Sequence, residues 1–189
     1  ISIIEIKKTE NYEDLEKFIS YLWDQGYKIG HSVRTIKDIK KISKEDVKEY
    51  TSYLTRRPLI TNNVIDKKIS NTLLNLWDKK KFFNTKLQEQ KERHSQFHST
   101  AYNLEPNLKE SPGTLRDFQT ALWILQHCFN LNSINEVSES DIFKDEIKDA
   151  IDAYNFIKSL RFVTNIISKE NRLSFETQLE ISSLAKLRK

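Results

Sequence analysis

The sequence predicts an α+β chain that is mostly α, and three observations carry that prediction. Strand-like apolar runs occur only before Thr35. Beyond that point apolar residues recur at helical spacing. Glycine and proline number only three each in 189 residues, so little interrupts long helices.

Taken in order, the opening run "ISIIEIKK" is β-branched and apolar, and Ile1 to Ile6 reads as a buried strand. "NYEDLEKFISYLWDQG" then sets Leu15, Phe18, Ile19, Leu22 and Trp23 at helical spacing, with Gly26 where a helix terminator belongs. "YKIGHSVRT" reads as a second strand, so the amino end is a strand–helix–strand unit. Farther on, Ile65, Ile69, Leu73, Leu76 and Trp77 trace one helical face, and Leu115, Phe118, Leu122, Leu125 and Phe129 another. A third consists of Tyr154, Ile157, Leu160, Thr164 and Ile167, and Phe175 to Lys186 forms the last. Between these, Phe82 to Phe97 is helical in composition but poor in apolar residues, and is expected to ride on a surface. The periodicity changes near residue 60, around "RRPLITNN", and everything beyond reads as a helical bundle.

Composition narrows the function classes. The chain is 38% hydrophobic and 31% charged, ordinary for a globular protein, and no apolar run approaches the roughly 20 residues that span a bilayer. Thirty-one basic and 27 acidic residues give a net charge of +4. They are interspersed, so no basic stripe marks a nucleic-acid site, and the "DKKK" run reads as a solvated helix start. The single cysteine, Cys128, lies among apolar residues and reads as a small buried hydrophobe, which suits a reducing cytoplasm. A chain that opens inside a strand, without methionine or a signal-peptide pattern, is expected to be a piece of something longer.

Gly26, Gly30 and Gly113 are the only glycines, so neither a P-loop nor a dinucleotide fingerprint can be written. One cysteine and four histidines leave no structural zinc site. His94 and His98 have a spacing that can hold a metal on one helical face, though without a metalloprotease glutamate, and no serine sits in a nucleophile elbow. In "GHSVRT", Ser32 and Arg34 point to one strand face and His31 and Val33 to the other. Arg34 could grip a phosphate in bidentate fashion or simply face water. Asp46 fits an S-x-x-D capping box with Ser43, and equally a metal ligand or general base. Thr114 and Asp117 form a second box, T-L-R-D, after the turn at Pro112 and Gly113. The preceding loop is longer than a simple connection requires. Its Asn103, Glu105, Asn107, Lys109 and Arg116 either pin the polar helix to the bundle or face a ligand.

"LWDQGYKIGHSVRT", "QEQKERHSQFHSTAYNLEPNLKESPGTLRDFQTALW" and "NRLSFETQLEIS" together resemble the bifunctional PII uridylyltransferase/uridylyl-removing enzymes of bacterial nitrogen signalling. The likeness covers nearly the whole chain, and "YNLEPNLKESPG" is its most diagnostic block. The resemblance implies the C-terminal part of a polymerase-β-type nucleotidyltransferase domain over residues 1–60, followed over 61–189 by the helical domain characteristic of this family. It implies transfer of UMP from UTP to a tyrosine of the PII protein with Mg2+, and removal of UMP by an HD domain. Glutamine would be sensed by ACT domains, which with the HD domain lie outside this sequence. It casts Asp46 as the third carboxylate, catalytic or metal-binding, and His31, Ser32 and Arg34 as neighbours of the nucleotide. The family's paired aspartates are absent here, so the isolated chain is expected to be inactive. Two departures stand out: Thr114 replaces a second glycine, and "DVKEYTSYL" carries Lys48 and Glu49 in an otherwise apolar pattern. The alternative reading is a non-catalytic scaffold or docking module of a signalling protein.

Overall fold

The computed structural model describes residues 2–5, 12–59, 63–131, 136–137 and 147–186. The chain divides into two compact units, residues 1–78 and 79–189. The change of periodicity near residue 60 therefore falls inside the first unit.

In the first unit, β1 (Ser2–Glu5), α1 (Glu13–Asp24) and β2 (Ser32–Thr35) form the expected strand–helix–strand unit. The strands are parallel, with Ser2 opposite Ser32 and Glu5 opposite Thr35. Parallel strands need a crossover between them, and α1 lies in that connection. The ends of the predicted strand, Ile1 and Ile6, lie outside the described residues. Three acidic residues in the first turn of α1 suit the positive end of its dipole. The chain leaves the helix through Gly26, whose φ of +80° favours glycine. Only Ile19 of the predicted apolar face is buried, whereas Phe18 and Trp23 are each 50% exposed. Two strands of four residues offer surface for a single stripe.

β2 runs directly into α2 (Ile36–Glu45) through a reciprocal cap. Thr35 Oγ1 accepts from the Asp38 N–H at 3.2 Å, and Asp38 Oδ2 accepts from the Thr35 N–H at 2.9 Å. α3 (Val47–Leu54) buries Val47, Tyr50, Thr51 and Tyr53, and α4 (Asn63–Leu73) buries Ile69 and Leu73. Arg56 ties α4 in: it donates to Asp66 Oδ1 at 2.9 Å, to Ser70 Oγ at 2.7 Å and to the Tyr53 carbonyl at 2.9 Å. α4 stops at Leu73, so Leu76 and Trp77 do not extend its face. Trp77 Nε1 instead donates to the Ser43 carbonyl at 2.8 Å.

The second unit contains α5 (Lys79–Ser95), α6 (Leu115–Phe129), α7 (Ile147–Ser168) and α8 (Phe175–Lys186). α5 packs on α6 rather than riding on a surface: Phe82 is fully buried and Lys86 is 3% exposed. The Lys86 ammonium sits 4.3 Å from the centre of the Trp123 ring and is hydrogen-bonded to Glu89, which lets a polar helix pack inward. Its pKa is lowered, burial being the main cause and Glu89 opposing it. α6 buries Thr120 and Trp123, and Phe129 of the predicted stripe is exposed. In α7 the predicted stripe faces inward, with Thr164 fully buried and Tyr154 edge-on to Phe118 at 5.5 Å. No helix among the described residues is long and apolar enough to cross a membrane.

Candidate functional site

Two predicted residues of the first unit gather at the head of α3. Asp46 has extended backbone, φ −125° and ψ 118°, and both ends α2 and caps α3. Its Oδ1 accepts from the Lys48 N–H at 2.7 Å, and the carboxylate is otherwise exposed. The predicted box is not formed, because Ser43 lies inside α2 and is completely buried. The D-V-K-E order of Asp46 and Glu49 has the same spacing and sits at the true helix start. Glu49 makes no reciprocal bond, since the Asp46 N–H already donates to the Ile42 carbonyl at 2.9 Å and Glu49 itself is engaged by Arg34.

That engagement is bidentate. Arg34 Nη1 meets Glu49 Oε2 at 2.5 Å, Nη2 meets Oε1 at 3.1 Å, and Nη1 also donates to the Tyr53 hydroxyl at 3.1 Å. Glu49 raises the Arg34 pKa even above its ordinary range, against the opposing effect of burial. A strand arginine thereby locks β2 to the first turn of α3.

The alternation read from the sequence sends the neighbours of Arg34 elsewhere. His31 and Val33 line a cleft of about 470 Å³ against Leu15, Glu16, Ile19 and Trp23 of α1. The Trp23 and His31 rings lie 5.7 Å apart. Neither Arg34 nor Asp46 lines this cleft. Ser32 is half-buried in the strand pair.

The described residues do not fit a magnesium site by themselves. No group of three or more His, Cys, Asp or Glu among them could hold a metal ion. Asp46 offers one carboxylate, one oxygen of which already serves the cap. The His94–His98 pairing also dissolves, since α5 ends at Ser95 and His98 lies beyond it at φ 54°.

In the second unit the residues of the long loop act chiefly as anchors. Asn103 Oδ1 accepts from the Glu105 N–H at 3.1 Å, and Asn107 Oδ1 from the N–H groups of Lys109 and Glu110, both at 3.0 Å. Glu105 accepts from the Phe175 N–H at 2.8 Å and pairs with Arg172. Those two contacts, the backbone one first, depress its pKa. Glu110 receives Arg116 at 3.1 Å and Lys109 at 3.4 Å.

Asp117 is the hub. Its carboxylate accepts from Gln90 Nε2 at 3.0 Å, His94 Nε2 at 2.9 Å and the Gly113 N–H at 2.7 Å, and pairs with Arg93. Burial opposes its ionisation and is the largest influence, yet the donated hydrogen bonds outweigh it and the pKa is lowered. The T-L-R-D box is therefore corrected: Thr114 makes no capping bond, its hydroxyl donates to the Ser111 carbonyl, and Asp117 caps one residue earlier, at Gly113. The positive φ of the turn, +75°, falls on Gly113, so Thr114 at φ −105° escapes strain. Gln90, Arg93 and Glu110 were missed in the sequence; the i, i+3, i+4 spacing of Gln90, Arg93 and His94 was the available signal.

The family model for GlnD PII-uridylyltransferase matches residues 81–189. The chain belongs to the PII-uridylyltransferase family. Members of this family are nucleotidyltransferases. The curated relatives the chain matches include proteins named bifunctional uridylyltransferase/uridylyl-removing enzyme. That of Hydrogenovibrio crunogenus is 37% identical over 184 residues, covering 93% of this chain and 21% of the relative. That of Idiomarina loihiensis is 40% identical over 171 residues, 88% of this chain and 20% of the relative. That of Haemophilus influenzae strain Rd is 36% identical over 191 residues, 96% and 22%. The chain thus spans about a fifth of the length of the uridylyltransferases it matches. No solved structure matches it. The family match starts at Lys81, within α5, whereas the alignment to the Hydrogenovibrio crunogenus relative covers 93% of the chain and therefore extends into the first unit.

Proposed function

We propose that this chain is one stretch of a longer uridylyltransferase that moves UMP from UTP to a tyrosine of the PII signal protein. Residues 1–60 close a polymerase-β-type transferase domain and residues 61–189 form the helical domain that follows it. The observation that carries the reading is the 37% identity that extends over 93% of the chain.

In this reading Asp46, exposed at the head of α3, helps to activate the acceptor hydroxyl or to hold magnesium. Its fellow ligands would come from sequence outside this chain, and the same holds for UMP removal and for glutamine sensing. His31 and Ser32 border the nucleotide. Arg34 acts as a positioning residue: its fork is committed to Glu49, and it would reach a phosphate only by releasing that carboxylate. The reaction is tested by incubating the full-length polypeptide that carries this sequence with UTP, magnesium and PII. One uridylyl group on a PII tyrosine is expected, and unmodified PII overturns the reading.

One observation favours the alternative, a non-catalytic docking module. Arg34 and Asp46 each already have a structural partner, as a scaffold would require. Titration of UTP against the full-length polypeptide separates the two, since the module binds none.

A further inference from the structure

The loop that links α5 to α6 has an anchored half and a displayed half. Its anchored half, Glu105 to Thr114, is held by the hydrogen bonds of Glu105, Asn107, Glu110 and Gly113, and further by the Leu108 N–H to the Asn171 carbonyl at 2.8 Å and the Leu173 N–H to the Pro106 carbonyl at 3.0 Å. The displayed half, Ala101 to Leu104, is exposed at every residue. At its apex Tyr102 is 97% exposed and Leu104 is 91% exposed, the two most exposed large apolar side chains described.

This display is not loose. His98 and Ser99, both non-glycine, adopt left-handed backbone at φ 54° and 52° just before the apex. They close the end of α5, where the Ser99 N–H donates to the His94 carbonyl at 2.9 Å, and so fix where the apex begins. The Tyr102 N–H donates to Thr100 Oγ1 at 3.1 Å, and the Asn103 N–H to the Ala101 carbonyl at 3.0 Å, so the apex is a preformed turn. Gln178 Nε2 fixes its far end through the Leu104 carbonyl at 2.7 Å. A hydrogen-bonded turn, an anchored base and a phenol standing in water are the features of a side chain presented to something outside the unit. Among the other described tyrosines, Tyr50 and Tyr53 are buried, Tyr12 and Tyr154 are half-buried, and Tyr21 and Tyr27, at 59% and 61%, are well short of the exposure of Tyr102.

Resting on the uridylyltransferase reading above, we infer that Tyr102 is itself an acceptor of UMP, a modification site on the enzyme's own helical region. A nucleotidyl acceptor must carry a hydroxyl that can enter another molecule's active site without unfolding its own support, and Tyr102 meets that condition. The phenolic oxygen attacks the α-phosphorus of UTP and a new O–P bond forms. The bond from that phosphorus to the bridging oxygen breaks, pyrophosphate leaves with the electron pair, and the phenolic proton passes to solvent. The modified loop would carry a phosphodiester and a uridine where it now displays an aromatic ring.

The test uses the full-length polypeptide with magnesium, PII and UTP labelled at the α-phosphate. Samples are taken over a time course, so that removal does not erase an early product, and the label is mapped by peptide mass spectrometry. Label on both PII and the peptide containing Tyr102, lost to background from that peptide in Tyr102→Phe but kept in Tyr21→Phe, supports the inference. Tyr102 is almost wholly exposed, so the Phe variant keeps its fold, which an unchanged melting curve verifies. Label on PII alone, or on another tyrosine of the enzyme, overturns the inference and leaves the parent reading intact. Label on neither overturns both.

Discussion

Asp117→Ala removes the one carboxylate that joins α5, the loop turn and the start of α6. Its side chain is 16% exposed, and its removal strands Gln90, Arg93, His94 and the Gly113 N–H together. A buried donor left without an acceptor costs about 1–3 kcal/mol, and breaking a buried ion pair from one side about 3–5 kcal/mol. His94, at 25% exposure, can recruit water, so the sum does not simply add. The expected loss is about 3 kcal/mol, or about 6–12 °C in melting temperature for a chain of this size. Urea unfolding followed by circular dichroism measures it, with Trp123 fluorescence as a probe of the second unit. The pH dependence adds a second readout. Because the folded-state pKa of Asp117 is depressed, its contribution is fully present above the unfolded carboxylate value of about 4 and is lost as pH falls through the folded value. The gap between wild type and variant should therefore close on acidification. A loss below about 1 kcal/mol, or a gap that does not depend on pH, refutes the hub assignment.

Other substitutions test neighbouring parts of the account. Arg34→Lys keeps the charge but loses the fork on Glu49, and should cost about 1–2 kcal/mol in denaturant unfolding. Thr114→Gly, which restores the second glycine of the resemblance, should destabilise by about 1 kcal/mol, because the position has no positive φ and the hydroxyl bond to Ser111 is lost. Gly113→Ala meets no atom within 4 Å, so its cost is conformational only, about 1–2 kcal/mol from the positive φ. Lys86→Met should fall within about 1 kcal/mol of wild type, since it exchanges a desolvated ammonium for an apolar chain of similar length; a loss as large as that of Asp117→Ala would mean that the contacts with Trp123 and Glu89 far outweigh the desolvation of the ammonium.

Periodicity and strand alternation made much of the fold legible. The strand–helix–strand opening, the inward stripe of α7 and the split of His31 from Arg34 follow from side-chain geometry that operates within a single element. What escaped depends on a partner far away in sequence. α5 looked like a surface helix because its apolar residues are few, yet Lys86 is drawn inward by Trp123, 37 residues on, a pairing no period reveals. Capping failed in a related way. Ser43–Asp46 and Thr114–Asp117 both have the right spacing, but Ser43 was claimed by the core and Asp117 by the neighbouring helix. At the candidate site, the sequence identified Arg34 and Asp46 as residues of interest. It did not show that Glu49 would occupy the fork of Arg34 ahead of any phosphate, because an ion pair spanning 15 positions leaves no local signature.

Replacing Asp46 with asparagine in the full-length polypeptide is the most direct test. Asparagine caps a helix as well as aspartate does, so α3 should keep its start and the melting temperature its value. Only the charge is withdrawn. The account predicts that UMP transfer to PII falls by roughly 10²–10⁴-fold, the range for loss of a positioned acid or base. Transfer at the unaltered rate, with folding intact, would mean that Asp46 is a helix cap and nothing more.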